Sequence, residues 1–149
     1  MRQDNHNYEV TRTVKQRQRA FTLIEVLIAV VVIAVLVAIA LPSYRQYIVR
    51  ASREAAESQL LQLANLQEKI FLNSSAYSAS VTGAYTGSSG GGLGVTSGAT
   101  ADGRYTLSLP TATATTFVLR ATPVAGTTQA GDGNLSIDQT GQRTGTVPW

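Results

Sequence analysis

The sequence contains no cysteine and only one histidine, His6, among its 149 residues. The absence of cysteine excludes a disulfide framework, a thiolate zinc site and a cysteine nucleophile. A lone histidine near the N-terminus argues against a Ser-His-Asp triad and against a histidine metal site. The sequence therefore predicts no catalytic residues, no metal site and no cofactor, and we expect the chain not to be an enzyme.

Glycine is absent from the first 82 residues, since all 13 glycines lie at Gly83 or later. The net charge of +3 is equally uneven. Residues 1–20 carry five Lys or Arg and two Asp or Glu, whereas residues 21–149 carry seven of each. Beyond the basic leader the chain lacks the positive field that is typical of nucleic-acid-binding domains. DNA stays open as a partner, but the sequence gives it no support.

A long apolar run follows the basic leader. Residues 21–41 read FTLIEVLIAVVVIAVLVAIAL and contain one charged side chain, Glu25. A helix of about 20 apolar residues spans the hydrocarbon core of a bilayer, and this run is apolar on every side. The cations that precede it predict a cytoplasmic N-terminus and an exported remainder; they are Arg12, Lys15, Arg17 and Arg19.

Three interpretations of this run compete. It could be a cleaved signal peptide with an A-x-A site at residues 38–40, a plain single-span anchor, or a span that itself has a function. Glu25 favours the last, because a charge at the centre of a membrane helix costs about 2.5–3.5 kcal/mol. Its place near the start of the run also suits the positive end of the helix dipole.

Residues 19–28, RAFTLIEVLI, resemble the prepilin signature of type IV pilins and type II secretion pseudopilins. Pro42 and Tyr44 are similar to that family's continuation of the helix. The resemblance implies that a prepilin peptidase cuts between Ala20 and Phe21 and that the new Phe21 amine is N-methylated. It also implies that Glu25 pairs with the Phe21 amine of a neighbouring subunit during assembly. The family usually has glycine before the cut, where this chain has Ala20.

The residues after Pro42 predict a continued, amphipathic helix. The stretch contains neither glycine nor a further proline up to Asn73, and Leu63, Leu66 and Ile70 recur at helical spacing. We therefore predict one long helix from about residue 21 to 73, with a kink or local melting at Pro42. Its first part, residues 21–41, is the membrane or filament-core segment, and residues 42–73 pack under a small head.

The rest of the chain predicts a loop and a small sheet. Residues 74–104 are rich in Gly, Ser, Thr and Ala, a composition that predicts a surface loop without a core of its own. Residues 105–149 hold alternating stretches around Leu107, Leu119 and Ile137, which predict short antiparallel strands and a tail. The expected fold is α+β and type IV pilin-like, with about three to four strands against the long helix.

The C-terminal segment is similar to the end of PilE-type minor pilins. In that family a disulfide usually joins the last strand to the tail, and here Gly133-Asn134 and Pro148-Trp149 occupy the corresponding regions. A disulfide typically contributes about 2–4 kcal/mol in a small domain. We expect Trp149 to pack on the sheet in its place.

The resemblance predicts a structural subunit of a type IV pilus, a filament used in adhesion and twitching motility. Its expected partners are other pilins, prepilin peptidase and methyltransferase, the inner-membrane assembly machinery, and membrane lipid before extrusion. The subunit would cross the inner membrane once, with its head in the periplasm, and then join the extracellular pilus. A type II secretion pseudopilin, and a secreted or membrane-anchored periplasmic binding domain, are the alternatives. We expect Arg45, Arg50 and Arg53 to meet lipid head groups or acidic residues rather than DNA.

Overall fold

A computed structural model describes residues 21–147 and 149. The leader, residues 1–20, and with it Ala20, lies outside the described residues. The elements in chain order are α1 (Leu23–Ser74), β1 (Tyr105–Ala112), β2 (Phe117–Pro123), β3 (Leu135–Asp138) and β4 (Arg143–Gly145). The predicted α+β fold, a long N-terminal helix packed against a small antiparallel sheet, is confirmed.

A hydrogen bond at the first turn and a left-handed residue after the last turn explain where α1 begins and ends. The backbone N–H of Glu25 donates to Thr22 Oγ1 at 3.3 Å, which is an N-cap contact. At the other end Ser75 adopts a left-handed φ of 54°, and its N–H donates to the Phe71 carbonyl at 2.7 Å, so the chain turns out of the helix there. Pro42 lies inside α1. The kink predicted at Pro42 stays a prediction.

The described residues divide into two compact units, one that ends at Ala38 and one that begins at Ile39. We call the second the head unit. Its part of α1 buries one side-chain stripe with a spacing of three and four residues, the pattern of a helix packed on a core. The stripe comprises Ser52, Ala56, Leu60, Leu63, Gln67 and Ile70.

The sheet is a meander in the order β1-β2-β3-β4, and each strand is antiparallel to its neighbour. Leu107 pairs with Ala121, and Leu119 pairs with Ile137, so the apolar positions of three strands lie on one face. That face is buried against α1 in a single core cluster. The sequence predicted three stretches of alternation, and β4 is an additional strand of three exposed residues.

Residues 75–104 contain no named helix or strand, but they contribute side chains to the head core. Val81 and Leu93 are 7% and 3% exposed and belong to the head core. The Leu93 N–H donates to the Ser80 carbonyl at 3.0 Å, which folds the segment back on itself. Glycine permits this packing, because a Cβ at Gly92 would lie 2.2 Å from the Gly83 carbonyl oxygen. The glycines that suggested an open loop therefore form a compact one.

The C-terminal tail is attached to the sheet by hydrogen bonds and packing. The Asn134 N–H donates to Thr146 Oγ1 at 2.9 Å, and the Thr146 N–H donates back to the Asn134 carbonyl at 3.2 Å. Trp149 Nε1 donates to the Thr144 carbonyl at 3.1 Å. The Trp149 ring is half-buried against the core cluster, as predicted.

Candidate functional site

The apolar part of α1 is open along its whole length. Every large apolar side chain in residues 21–41 is 47–83% exposed. Among the described residues α1 is long and apolar enough to cross a membrane. Because burying apolar surface contributes about 25 cal/mol per Å², so much exposed apolar surface requires an apolar environment outside this chain. Lipid and neighbouring apolar helices are the two environments that supply it.

Glu25 is the single charged residue of this apolar segment. It is exposed and lies in the first turn of α1. Within the part of the chain that the structure describes, its carboxylate accepts no hydrogen bond, while its backbone N–H is satisfied by Thr22. Among the described residues the Glu25 carboxylate therefore has no partner. Phe21, 78% exposed, is close to it at the start of the helix.

A buried polar cluster joins α1 to the loop between β2 and β3. Arg53 and Asp132 form an ion pair, with Arg53 Nε at 3.0 Å from Asp132 Oδ2. The hydroxyl of Tyr105 donates to the same carboxylate. Gln129 Nε2 contacts Asp132 Oδ2 at 2.5 Å, the Tyr105 hydroxyl at 2.7 Å and the Val49 carbonyl at 3.3 Å. We call these four side chains, Arg53, Tyr105, Gln129 and Asp132, the head clamp.

Burial distinguishes the members of the head clamp. The side chain of Asp132 is 3% exposed and that of Arg53 is 27% exposed. Burial raises the pKa of the Tyr105 hydroxyl above its ordinary value, although hydrogen bonds with Gln129 and Arg53 oppose the rise. Tyr105 therefore stays a neutral donor to Asp132. No local sequence pattern predicts this cluster, since Arg53 and Asp132 are 79 residues apart.

A second contact joins α1 to the segment before β1. Arg104 Nη1 donates to Ser52 Oγ at 2.7 Å, and Asp102 accepts from Thr100 Oγ1 at 2.6 Å and from the Arg104 N–H at 3.2 Å. Partial burial raises the pKa of Asp102, but hydrogen bonds from Thr100, Ser52 and Arg104 outweigh it. The pKa of Asp102 is therefore lowered, and its carboxylate stays charged at neutral pH.

The arginines that the sequence grouped together separate in the structure. Arg53 meets an acidic residue of its own chain, Asp132, whereas Arg45 and Arg50 are exposed. Within residues 21–147 and 149, neither Arg45 nor Arg50 forms an ion pair. Two of the three cations are thus free for an outside partner.

The outer face of the sheet is polar. Arg120 is exposed there, and its Nε lies 3.4 Å from Ser136 Oγ on the next strand. The strand register aligns Ser108, Arg120, Ser136 and Thr144 across the four strands. Ser136 is 6% exposed, so the row presents the Arg120 guanidinium and the hydroxyls of Ser108 and Thr144, groups that commonly contact phosphate oxygens.

Comparison with known proteins identifies both parts of the chain. Residues 15–41 match the prokaryotic N-terminal methylation motif. Residues 42–136 match the family described as type IV minor pilin ComP, DNA uptake sequence receptor. A curated relative, the fimbrial protein EcpC of Eikenella corrodens, is 48% identical over 42 residues. That match covers 28% of this chain and 28% of the relative.

The two matches follow each other without a gap, and the second spans more than half of the chain. They agree with the open apolar helix and the α+β head. A pseudopilin or a secreted binding domain is not favoured, because the head itself matches a pilin. The chain belongs to the type IV minor pilin family.

Proposed function

We propose that this minor pilin is cut between Ala20 and Phe21, N-methylated on Phe21, and assembled through a contact between that amine and Glu25 of a neighbouring subunit. Prepilin peptidase and methyltransferase carry out the processing, and the inner-membrane machinery adds the subunit to the filament. Before assembly the subunit crosses the inner membrane once through residues 21–41, with its head in the periplasm. The match of residues 15–41 to the methylation motif supports this proposal.

The observation that carries the proposal is that the Glu25 carboxylate has no partner among the described residues, on a helix whose large apolar side chains are 47–83% exposed. Cleavage before Phe21 creates a positive amine one helical turn from this carboxylate. In an apolar filament core an unpaired carboxylate is costly, and an opposite charge offsets much of that cost. The pair forms at one axial offset between helices, so it also sets the register of assembly. Substituting Glu25 without disturbing cleavage is the experiment that tests this role.

A second function, binding of duplex DNA by the head, is favoured by the description of the matching family as a DNA uptake sequence receptor. The surface that suits it is the outer face of the sheet, which carries Arg120 and the hydroxyls of Ser108 and Thr144. The seven Lys or Arg of residues 42–149 face six Asp or Glu. Binding therefore depends on local contacts rather than on net charge.

Replacing Arg120 by glutamine tests the DNA function. One lost phosphate contact should weaken duplex binding by about three- to tenfold and should lower the slope of log affinity against log salt by about one. The measurement is a titration of fluorescent duplex with the detergent-solubilised full chain at several salt concentrations. The matched control is Lys69→Gln, an exposed cation on α1. Equal affinities for the Arg120 variant and the wild type would reject this face as the DNA surface.

A further inference from the structure

The turns of α1 that follow the apolar segment carry polar and aromatic side chains, and we call residues 44–50 the polar collar. We propose that Arg45 and Arg50 in this collar bind the phosphate groups of anionic phospholipids in the periplasmic leaflet and hold the subunit in the membrane before extrusion. This inference rests on the proposed membrane-spanning role of residues 21–41. It assigns a ligand to two arginines that neither the head clamp nor the sheet face uses.

The two arginines flank a groove at the base of the head unit. The groove has a volume of about 310 Å³ and is lined by Arg45, Gln46, Val49, Arg50 and Arg53. The Val49 carbonyl accepts a hydrogen bond from Gln129 Nε2 at 3.3 Å. Arg53 is neutralised by Asp132. Among the described residues, the groove therefore presents two guanidinium groups that form no ion pair. Guanidinium binds phosphate with several parallel hydrogen bonds.

The position along the helix places these groups at lipid head-group depth. Arg45 and Arg50 follow Leu41, the last residue of the apolar segment, by four and nine residues. At about 1.5 Å per residue these intervals are about 6 Å and about 14 Å. The head-group layer is about 5–8 Å thick on each side of the hydrocarbon core. Side chains on a helix lean toward its N-terminus, here toward the bilayer, so Arg50 can reach the layer that Arg45 occupies.

The collar also carries two aromatic side chains. Tyr44 and Tyr47 are 63% and 68% exposed, and tyrosine is enriched where membrane helices meet water. Residues 26–53 contain no acidic side chain, so no carboxylate on this stretch competes with lipid phosphate for the arginines. Arginines on the exported side oppose the usual charge bias of membrane helices, and binding to anionic lipid compensates for that cost.

The choice of lipid over DNA follows from the placement of the groove. Its lining belongs to the helix directly after the apolar segment, whereas the proposed DNA surface lies on the outer face of the sheet. The lipid head-group phosphates are therefore the phosphates nearest to the collar. Binding of DNA by the collar is an outcome that would overturn the inference.

Native mass spectrometry of the full chain released from nanodiscs tests the lipid site. The nanodiscs contain phosphatidylethanolamine and anionic phosphatidylglycerol in a three-to-one mixture. One basic residue near an anionic surface changes affinity by about fivefold. We expect the wild-type chain to retain the anionic lipid in preference, and the double variant R45Q/R50Q to retain at least about fivefold less. The matched control K69Q should behave as the wild type, and R45K/R50K should keep part of the preference.

Circular dichroism of each variant verifies that α1 is folded, so that lost lipid is not lost structure. Equal lipid retention by R45Q/R50Q and the wild type, or weaker DNA binding with unchanged lipid retention, would overturn the inference. Extraction with alkaline carbonate distinguishes a failure of the lipid-site proposal from a failure of the proposed membrane anchorage through residues 21–41. A chain that resists extraction but shows no lipid preference contradicts the collar alone, whereas an extractable chain contradicts the proposed membrane anchorage as well.

Discussion

Replacing Glu25 by glutamine should leave the subunit in the inner membrane and lower its amount in sheared pili at least about tenfold. A loss of about 1.4 kcal/mol in the free energy of assembly already changes the equilibrium tenfold. Removing one partner of a desolvated ion pair costs more than that, because the other charge stays buried and unpaired. Glutamine keeps the size and the backbone N–H contact to Thr22 Oγ1 but cannot carry the charge. The measurement is the ratio of the subunit in the sheared fraction to that in the membrane fraction.

The matched control for this experiment is Glu54→Gln, which removes an exposed carboxylate of the same helix outside the apolar segment. We expect Glu54→Gln to leave the ratio near its wild-type value. The mass of the Glu25 variant must also show normal cleavage and methylation, since an unprocessed subunit fails for another reason. A processed Glu25→Gln subunit that enters pili at the wild-type level would contradict the pairing role.

Replacing Arg53 by methionine should destabilise the head by about 3 kcal/mol, or roughly 10 °C in Tm. The variant leaves the Asp132 carboxylate, 3% exposed, without its cation. Tyr105 and Gln129 still donate to Asp132, but neutral donors compensate a buried charge less well than a guanidinium does. Denaturation of the detergent-solubilised full chain, followed by the circular dichroism of the sheet and by Trp149 fluorescence, measures the change.

A double-mutant cycle separates the ion pair from general effects of the substitution. Once Arg53 is methionine, changing Asp132 to asparagine should cost little or should restore stability, because the buried charge is gone. Lys69→Met removes an exposed cation of α1 and should change stability by less than about 0.5 kcal/mol. Similar losses for Arg53→Met and Lys69→Met would show that the head clamp contributes nothing specific.

Local patterns in the sequence account for most of the fold. The apolar run and the glycine-free stretch before Ser75 predict one helix, and alternation around Leu107, Leu119 and Ile137 predicts three of the strands. Strand β4 carries no alternation, since its three residues are all exposed. The burial of Val81 and Leu93 depends on a close approach of two glycines, a contact that composition does not reveal.

The candidate sites also differ in whether the sequence alone predicts them. Glu25 could be found from the sequence alone, because a charge inside an apolar run is costly wherever the run is placed. The head clamp could not, because Arg53 and Asp132 are brought together only by the fold. For the same reason the sequence treated Arg45, Arg50 and Arg53 alike. The structure separates Arg53, which is paired, from the two arginines that remain free.

The mass and N-terminal residue of the subunit in pili sheared from its native cells test the central claim most directly. The account predicts a chain that begins with N-methylated Phe21 and lacks residues 1–20. Such a chain would carry the amine that Glu25 of a neighbour is proposed to bind. A chain that begins at Leu41, after a conventional signal-peptide cut, would lack the apolar helix and contradict assembly through it. An intact leader on subunits within pili would contradict the proposed cut between Ala20 and Phe21.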